Sequence, residues 1–287
     1  MDDSLQPGFS VTGPCDGRSP LLFTSPHSGR DYPADFLAAA RLPIAQLRRA
    51  EDAMVDQLLV GIDGAPVMRA RYARTFLDLN RAADEIDAAM FHGTFALPMR
   101  PTDRVIAGLG VIPRIAARGE EIYAGRIDAA DAAMRVAALH TPWHDRIATL
   151  IDRARARHGH AILIDCHSMP TPAGLRPPQI VLGDRHGVTA APALMRLIEQ
   201  HFSSFGWRVA RNIPYAGGHI TEAHGAVATG VHAIQIEIDR ALYMDPATLL
   251  RGVGFGRVAD AMTGLAGLLA AAARVLPLAP SLREAAE

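Results

Sequence analysis

Short apolar runs bounded by polar residues recur along the chain. Leu21 to Thr24, Ala161 to Asp165, Gln179 to Leu182 and His232 to Ile238 have the length and composition of strands buried on both faces. Between them the apolar positions shift to helical spacing. Ala45 to Gly61 sets Leu47, Met54, Leu58 and Leu59 near one face, Thr141 to Arg157 does the same with Ile147, Leu150, Ile151 and Ala154, and Ala190 to Phe205 with Leu194, Leu197, Ile198 and Phe202. Strands alternating with helices predict an α/β fold with a mainly parallel or mixed central sheet flanked by helices. The region from His92 to Ala124, punctuated by Pro and Gly, shows no clear period and reads as a long excursion. With no internal repeat and no break in composition, the expectation is one domain over residues 1–287.

At 287 residues the chain is long enough to bury roughly 75% of its unfolded surface. Lys and Arg number 29 against 30 Asp and Glu, so there is no basic footprint of the kind that nucleic-acid binding requires. The opening Met1-Asp2-Asp3-Ser4 is acidic where a signal peptide is basic, and no apolar region follows it. The most apolar stretch, Gly264 to Leu278, carries Arg274 and falls short of the ~20 residues that span a bilayer, so it reads as a C-terminal helix on the core. The expectation is a cytoplasmic protein with neither a membrane nor a nucleic-acid partner; oligomeric state is not derivable. Two cysteines, Cys15 and Cys166, make neither a disulfide framework nor a thiolate zinc site.

In open α/β sheets ligands gather beyond the carboxyl ends of the strands, and two histidines fall there: His27, after Leu-Leu-Phe-Thr-Ser-Pro, and His167, after Ile-Leu-Ile-Asp-Cys. Imidazoles at such positions suit a catalytic zinc, which usually has three protein ligands and one open place; the alternative is that each histidine caps its strand by hydrogen bonds. A third ligand would be a carboxylate. Glu51 and Asp52 are candidates, with stabilisation of a helix N-terminus as the competing explanation. Glu237 intrudes with Gln235, at period two, into the apolar strand from Ala233 to Ile238. A charge there needs a partner or a polar site, making Glu237 a general-base candidate or one half of an ion pair with Arg240 or Arg211. Arg81, closing Leu77-Asp78-Leu79-Asn80-Arg81, could grip a carboxylate or pair with Asp84 or Glu85. The paired glycines in Asn212 to Thr221 would let backbone N–H groups approach a ligand.

In this order, Ser25-Pro26-His27-Ser28-Gly29, Glu51-Asp52, Phe76 to Arg81, Asp165-Cys166-His167-Ser168-Met169, Pro214-Tyr215-Ala216-Gly217-Gly218 and Gln235-Ile236-Glu237 resemble the N-formylglutamate amidohydrolase family, as do Gly108 to Pro113 and Pro142-Trp143-His144. The resemblance spans most of the chain. It implies a zinc-carboxypeptidase-like (phosphorylase/hydrolase-like) fold with a mixed sheet of about eight strands. It also implies one divalent metal, Zn²⁺ foremost, on His27, Asp52 and His167, with Glu51 as rival to Asp52. Glu237 would take a proton from the attacking water, Arg81 would hold a substrate carboxylate, and Asn80, Gly217, Gly218, His219 and Thr221 would line the substrate. His144 receives no role. The implied chemistry is hydrolysis of an N-formyl or short N-acyl amino acid, N-formyl-L-glutamate to formate and L-glutamate, as in histidine degradation. A metal that lowers the pKa of water to about 7 makes the nucleophile. Glu222 stands where members of the family often carry a basic residue; lining the pocket, it would repel a second carboxylate and favour substrates with neutral or basic side chains. Two alternatives remain: a deacylase for a different N-acyl amino acid, and a catalytically silent binding protein of the same fold.

Overall fold

The computed structural model describes residues 5–94 and 98–280. The acidic tetrapeptide at the N-terminus and positions 95–97 of the His92 to Ala124 excursion fall outside this set. The chain forms two compact units, each stitched from three separate stretches: Met1–Ser10, Pro26–Ala53 and Arg69–Arg146 in the first, Val11–Ser25, Met54–Met68 and Ile147–Glu287 in the second.

The second unit carries the sheet. Its strands are β1 (Phe9–Thr12) by its last residues, β2 (Leu21–Ser25), β3 (Val67–Ala70) by its first, β6 (Ala161–Met169), β7 (Ile180–Gly183), β8 (Val209–Arg211) and β9 (Val231–Asp239). The order is β1-β3-β2-β6-β9-β7-β8. β2, β6 and β9 run parallel, and β7 lies antiparallel to β9 but parallel to β8, so the sheet is mixed as expected, with seven strands among the described residues where about eight were expected. β6 and β9 are buried along their whole length, which is why both read as continuous apolar runs. β1 alternates between half-buried and exposed, a signature too short to stand out in four residues.

Helices flank this sheet. α9 (Phe255–Ala272) packs against α3 (Val55–Leu58), α7 (Pro192–Ser204) and β2, and α8 (His219–His224) lies on β6 and β9. A short antiparallel pair, β10 (Met244–Asp245) with β11 (Leu250–Arg251), precedes α9. The C-terminal helix thus begins nine residues before the expected Gly264 and ends at Ala272. Val258, Ala261, Met262, Leu265 and Leu269 form its buried face, and Pro277 bars any continuation through Leu276.

The first unit holds α1 (Ala34–Ala39), α2 (Ile44–Leu47), α4 (Asp103–Ile106), α5 (Ala129–Arg135) and the parallel pair β4 (Phe91–His92) and β5 (Ile127–Asp128). A π-helical turn, Val136–His140, joins α5 to α6 (Thr141–His158), which runs on into the second unit. Phe36 is the hub: its ring centroid lies 5.4 Å from Phe76 and 5.8 Å from Tyr123, and the buried guanidinium of Arg135 sits 4.0 Å from the Phe76 centroid. The excursion contributes only short elements within its described part, as its lack of period predicted. The helix expected over Ala45 to Gly61 is broken, with α2 and a 3₁₀ turn (Arg48–Ala50) before the break and α3 after it. Met54 is in the left-handed region at φ 63°, and the backbone N–H of Asp52 donates to His27 O at 2.9 Å instead of to a helical carbonyl. Cys15 and Cys166 are free thiols, and no helix among the described residues is long and apolar enough to cross a membrane.

Candidate active site

In the first unit the chain leaves β2 through Pro26-His27-Ser28-Gly29. A Cβ on Gly29 would lie 2.1 Å from Tyr72 O, so only glycine lets this segment run against residues 71–72, where Arg30 N and Asp31 N both donate to Arg71 O. That contact fixes His27. Its buried Nε2 lies 2.7 Å from Asp78 Oδ1, which also accepts from Asn80 N at 2.9 Å, while Asp78 Oδ2 accepts from Arg74 Nη2 at 2.7 Å. Burial works against ionisation of Asp78, but the charges of Arg74, His27 and Arg81 outweigh it and hold the carboxyl well below the usual range. An ionised Asp78 only accepts, so His27 Nε2 donates to it.

His27 Nδ1 stands 3.4 Å from Asp52 Oδ2. That is long for a hydrogen bond and matches the ~3.4 Å separating two donor atoms held at ~2.1 Å by a tetrahedral ion. A divalent cation suits this donor set. Of the acidic pair, Glu51 accepts from Tyr32 Oη at 2.7 Å and from Arg48 Nε at 3.2 Å, leaving Asp52 as the one beside His27. Neither acid starts a helix, which corrects the helix-terminus explanation: Glu51 closes the 3₁₀ turn and α3 begins at Val55.

Arg81 does not pair with Asp84 or Glu85. Asp84 binds Arg100 at 3.0 Å, and Glu85 accepts from Ala82 N and Thr102 Oγ1. Arg81 Nε donates to Leu109 O and Nη1 to Asn80 O, both at 2.8 Å, which aims the guanidinium while leaving other N–H donors for a ligand. Burial lowers its pKa, with Asp78 opposing. His144 now has a place: its Nε2 contacts Leu79 O at 3.0 Å, and His140, one helical turn earlier, contacts Arg81 O at 2.7 Å. The two rings, 4.3 Å apart, pin the backbone on either side of Asn80.

In the second unit the register of β6 with β9 pairs Asp165 with Gln235 and His167 with Glu237, so these four polar side chains share one face, with Asp239 farther along it. β2 adds Thr24 opposite Asp165. His167 lies inside β6, which runs on to Met169, rather than beyond its end. Its Nε2 is 2.8 Å from Asp165 Oδ2, and Asp165 Oδ1 accepts from Thr24 Oγ1 at 2.7 Å. Glu237 Oε1 accepts from Gln235 Nε2 at 2.7 Å. Arg211, one suggested partner for Glu237, pairs with Glu199 instead.

The glycine-rich loop packs tightly over β7. A Cβ on Gly183, the register partner of Gln235, would meet Gly217 N at 2.6 Å, and Gly217 itself has φ 121°. Gly218 precedes α8, half-buried His219 is that helix's first residue, and the buried Thr221 hydroxyl donates to Gly218 O at 2.8 Å. Gly217 and Thr221 therefore shape the loop, their Cβ position and hydroxyl being committed to it. Glu222 is exposed and paired with Arg185 at 2.8 Å.

The two histidines thus share a feature that sequence reading passed over. Each has a ring nitrogen against a buried aspartate, Asp78 or Asp165, the arrangement that orients metal-binding imidazoles. Asp165 was legible as an acid two residues before a histidine on one strand face. Asp78 and His140 had no such local signal.

A family model described as N-formylglutamate amidohydrolase matches residues 19–244. The N-formylglutamate deformylase of Pseudomonas aeruginosa is 32% identical over 239 residues, covering 80% of this chain and 84% of the relative. That of Pseudomonas putida is 29% identical over 238 residues, covering 80% and 83%. The crystal structure of N-formylglutamate amidohydrolase from Ralstonia eutropha JMP134 superposes with a TM-score of 0.88 at 32% identity, over 94% of this chain and 99% of that one. The matched span takes in every strand and loop that carries His27, Asp52, Asp78, Arg81, His167 and Glu237. On this evidence the chain belongs to the N-formylglutamate amidohydrolase family.

Proposed function

We propose that this enzyme hydrolyses the amide bond of an N-formyl amino acid, N-formyl-L-glutamate foremost, to formate and the free amino acid, with one divalent metal, Zn²⁺ foremost, held by His27, Asp52 and His167. The observation that carries the reading is the pair of buried aspartate–histidine couples, Asp78–His27 and Asp165–His167. Each fixes one imidazole tautomer and raises its basicity as a ligand, and neither couple is needed to cap a strand. The metal, when bound, supplies Lewis acidity that polarises the amide carbonyl and acidifies water. Glu237 takes the proton from the attacking water and passes it to the leaving nitrogen. Arg81, aimed by two backbone carbonyls and by the His140 and His144 contacts behind it, holds a substrate carboxylate together with Asn80. Gly217, Gly218 and His219 bound the substrate from the loop side, Thr221 serving through the loop's shape. Because Arg185 offsets Glu222, the dicarboxylate N-formyl-L-glutamate is retained as the first substrate over neutral N-formyl amino acids.

The test is formate release from N-formyl-L-glutamate before and after chelation. Turnover is expected to vanish on chelation and return with Zn²⁺; activity indifferent to chelation would contradict the metal. In the same assay Arg81→Lys is expected to lower kcat/KM on the order of 10-fold or more, since an ammonium cannot reproduce the planar fork. Unchanged kinetics would remove Arg81 from the carboxylate site.

A further inference from the structure

Gln235 has no part in the chemistry above, and its surroundings are unusual. It is 4% exposed on the central strand β9, its Nε2 donates to Glu237 Oε1 at 2.7 Å, and its own carbonyl Oε1 is buried with no hydrogen-bond partner among the described residues. For stability alone this is a poor choice. An unsatisfied buried carbonyl is costly, and an apolar side chain of the same length would avoid it.

The amide orientation is dictated from one side only. Turned over, Gln235 would set its oxygen against a carboxylate oxygen of Glu237, so the donor must face Glu237 and the acceptor is left without a partner. The neighbouring strand repeats the plan. On β6 Asp165 orients His167 two residues later, and the register sets Asp165 beside Gln235 and His167 beside Glu237. One row across the sheet, Thr24, Asp165 and Gln235, thus lies a pleat behind the row that carries His167 and Glu237, and its members hold the side chains of that second row or, like Thr24, hold Asp165.

We infer that Gln235 is a positioning residue for the reaction: its amide N–H ties down one oxygen of Glu237 and so presents the other to the attacking water. The inference rests on the reading of Glu237 as general base. Freed of this bond, the Glu237 carboxylate samples rotamers in which neither oxygen is aligned, which lowers kcat and leaves substrate and metal affinity alone.

Gln235→Met, with Gln235→Leu as a second variant should the first fold poorly, is measured in the wild-type and Glu237→Gln backgrounds. In the wild-type background kcat is expected to fall on the order of 10-fold, with KM and metal content within about 2-fold and the melting temperature unchanged or higher. In the Glu237→Gln background the same substitution is expected to change the residual kcat by less than about 2-fold, because there is no base left to position. Equal losses in the two backgrounds would mark Gln235 as merely structural and overturn the inference. So would wild-type kcat in Gln235→Met alongside an impaired Glu237→Gln. Full turnover in Glu237→Gln itself would instead overturn the reading of Glu237, and the inference with it.

Discussion

Replacing His27 or His167 with alanine is expected to strip the metal from the protein and take formate release below detection. A catalytic zinc usually has three protein ligands, so on the proposed assignment either substitution removes one of the three. Each substitution also leaves behind an aspartate built to serve the lost ring. Asp165 keeps its bond from Thr24, and Asp78 keeps those from Arg74 and Asn80, so both variants are expected to fold. Asp165→Asn gives the graded comparison: the imidazole stays but its orientation slackens, and metal affinity is expected to fall by only about 10–100-fold. Elemental analysis of purified protein, run beside the formate assay, measures both effects. Full metal occupancy in the His27→Ala, His167→Ala double variant would remove the metal from these residues.

Glu237→Gln is expected to lower kcat on the order of 10²-fold or more, the usual scale for loss of a general acid–base, while the fold and the metal content are retained. Glutamine matches glutamate in size and can accept from Gln235 Nε2 through its own carbonyl, so the strand has no reason to move. KM is expected to change little, since proton transfer is felt in the transition state and not in substrate binding. Stopped assays across a range of substrate concentrations separate the two parameters. Wild-type kcat in this variant would reassign Glu237 to a structural role beside Arg240 or Gln235.

The parts of the fold that could be read from sequence were those whose burial is continuous. β2, β6, β7 and β9 lie inside the sheet, so every side chain is apolar or has a specific reason not to be, and the run stands out. β1 and β8 are edge strands of four and three residues with exposed positions, and their pairing is a tertiary fact. The helix expected through Glu51 and Asp52 failed for the opposite reason. The periodicity is real on both sides, but the His27 backbone captures the Asp52 N–H and a left-handed Met54 restarts the chain, a local cost that places an acid beside an imidazole. The two units interleave along the sequence, so no shift in composition marks a boundary.

At the site, what sequence could supply was residue type and strand position. His167 follows from its place after an apolar run, and Glu237 from a period-two intrusion into an apolar strand. The partners that orient them follow only in part, because Asp165 and Gln235 share their strands whereas Asp78 reaches His27 across 51 residues. The partner of Glu222 was hidden for a related reason. A single charge read in isolation says nothing of a counter-charge 37 residues away, and Arg185 supplies it.

The metal assignment is tested most directly by an anomalous difference map, recorded on crystals of the active protein at the absorption edge of the element found in them by X-ray fluorescence. One peak is expected, bounded by His27, Asp52 and His167; a peak held by other side chains, or active protein with no peak at all, would contradict it.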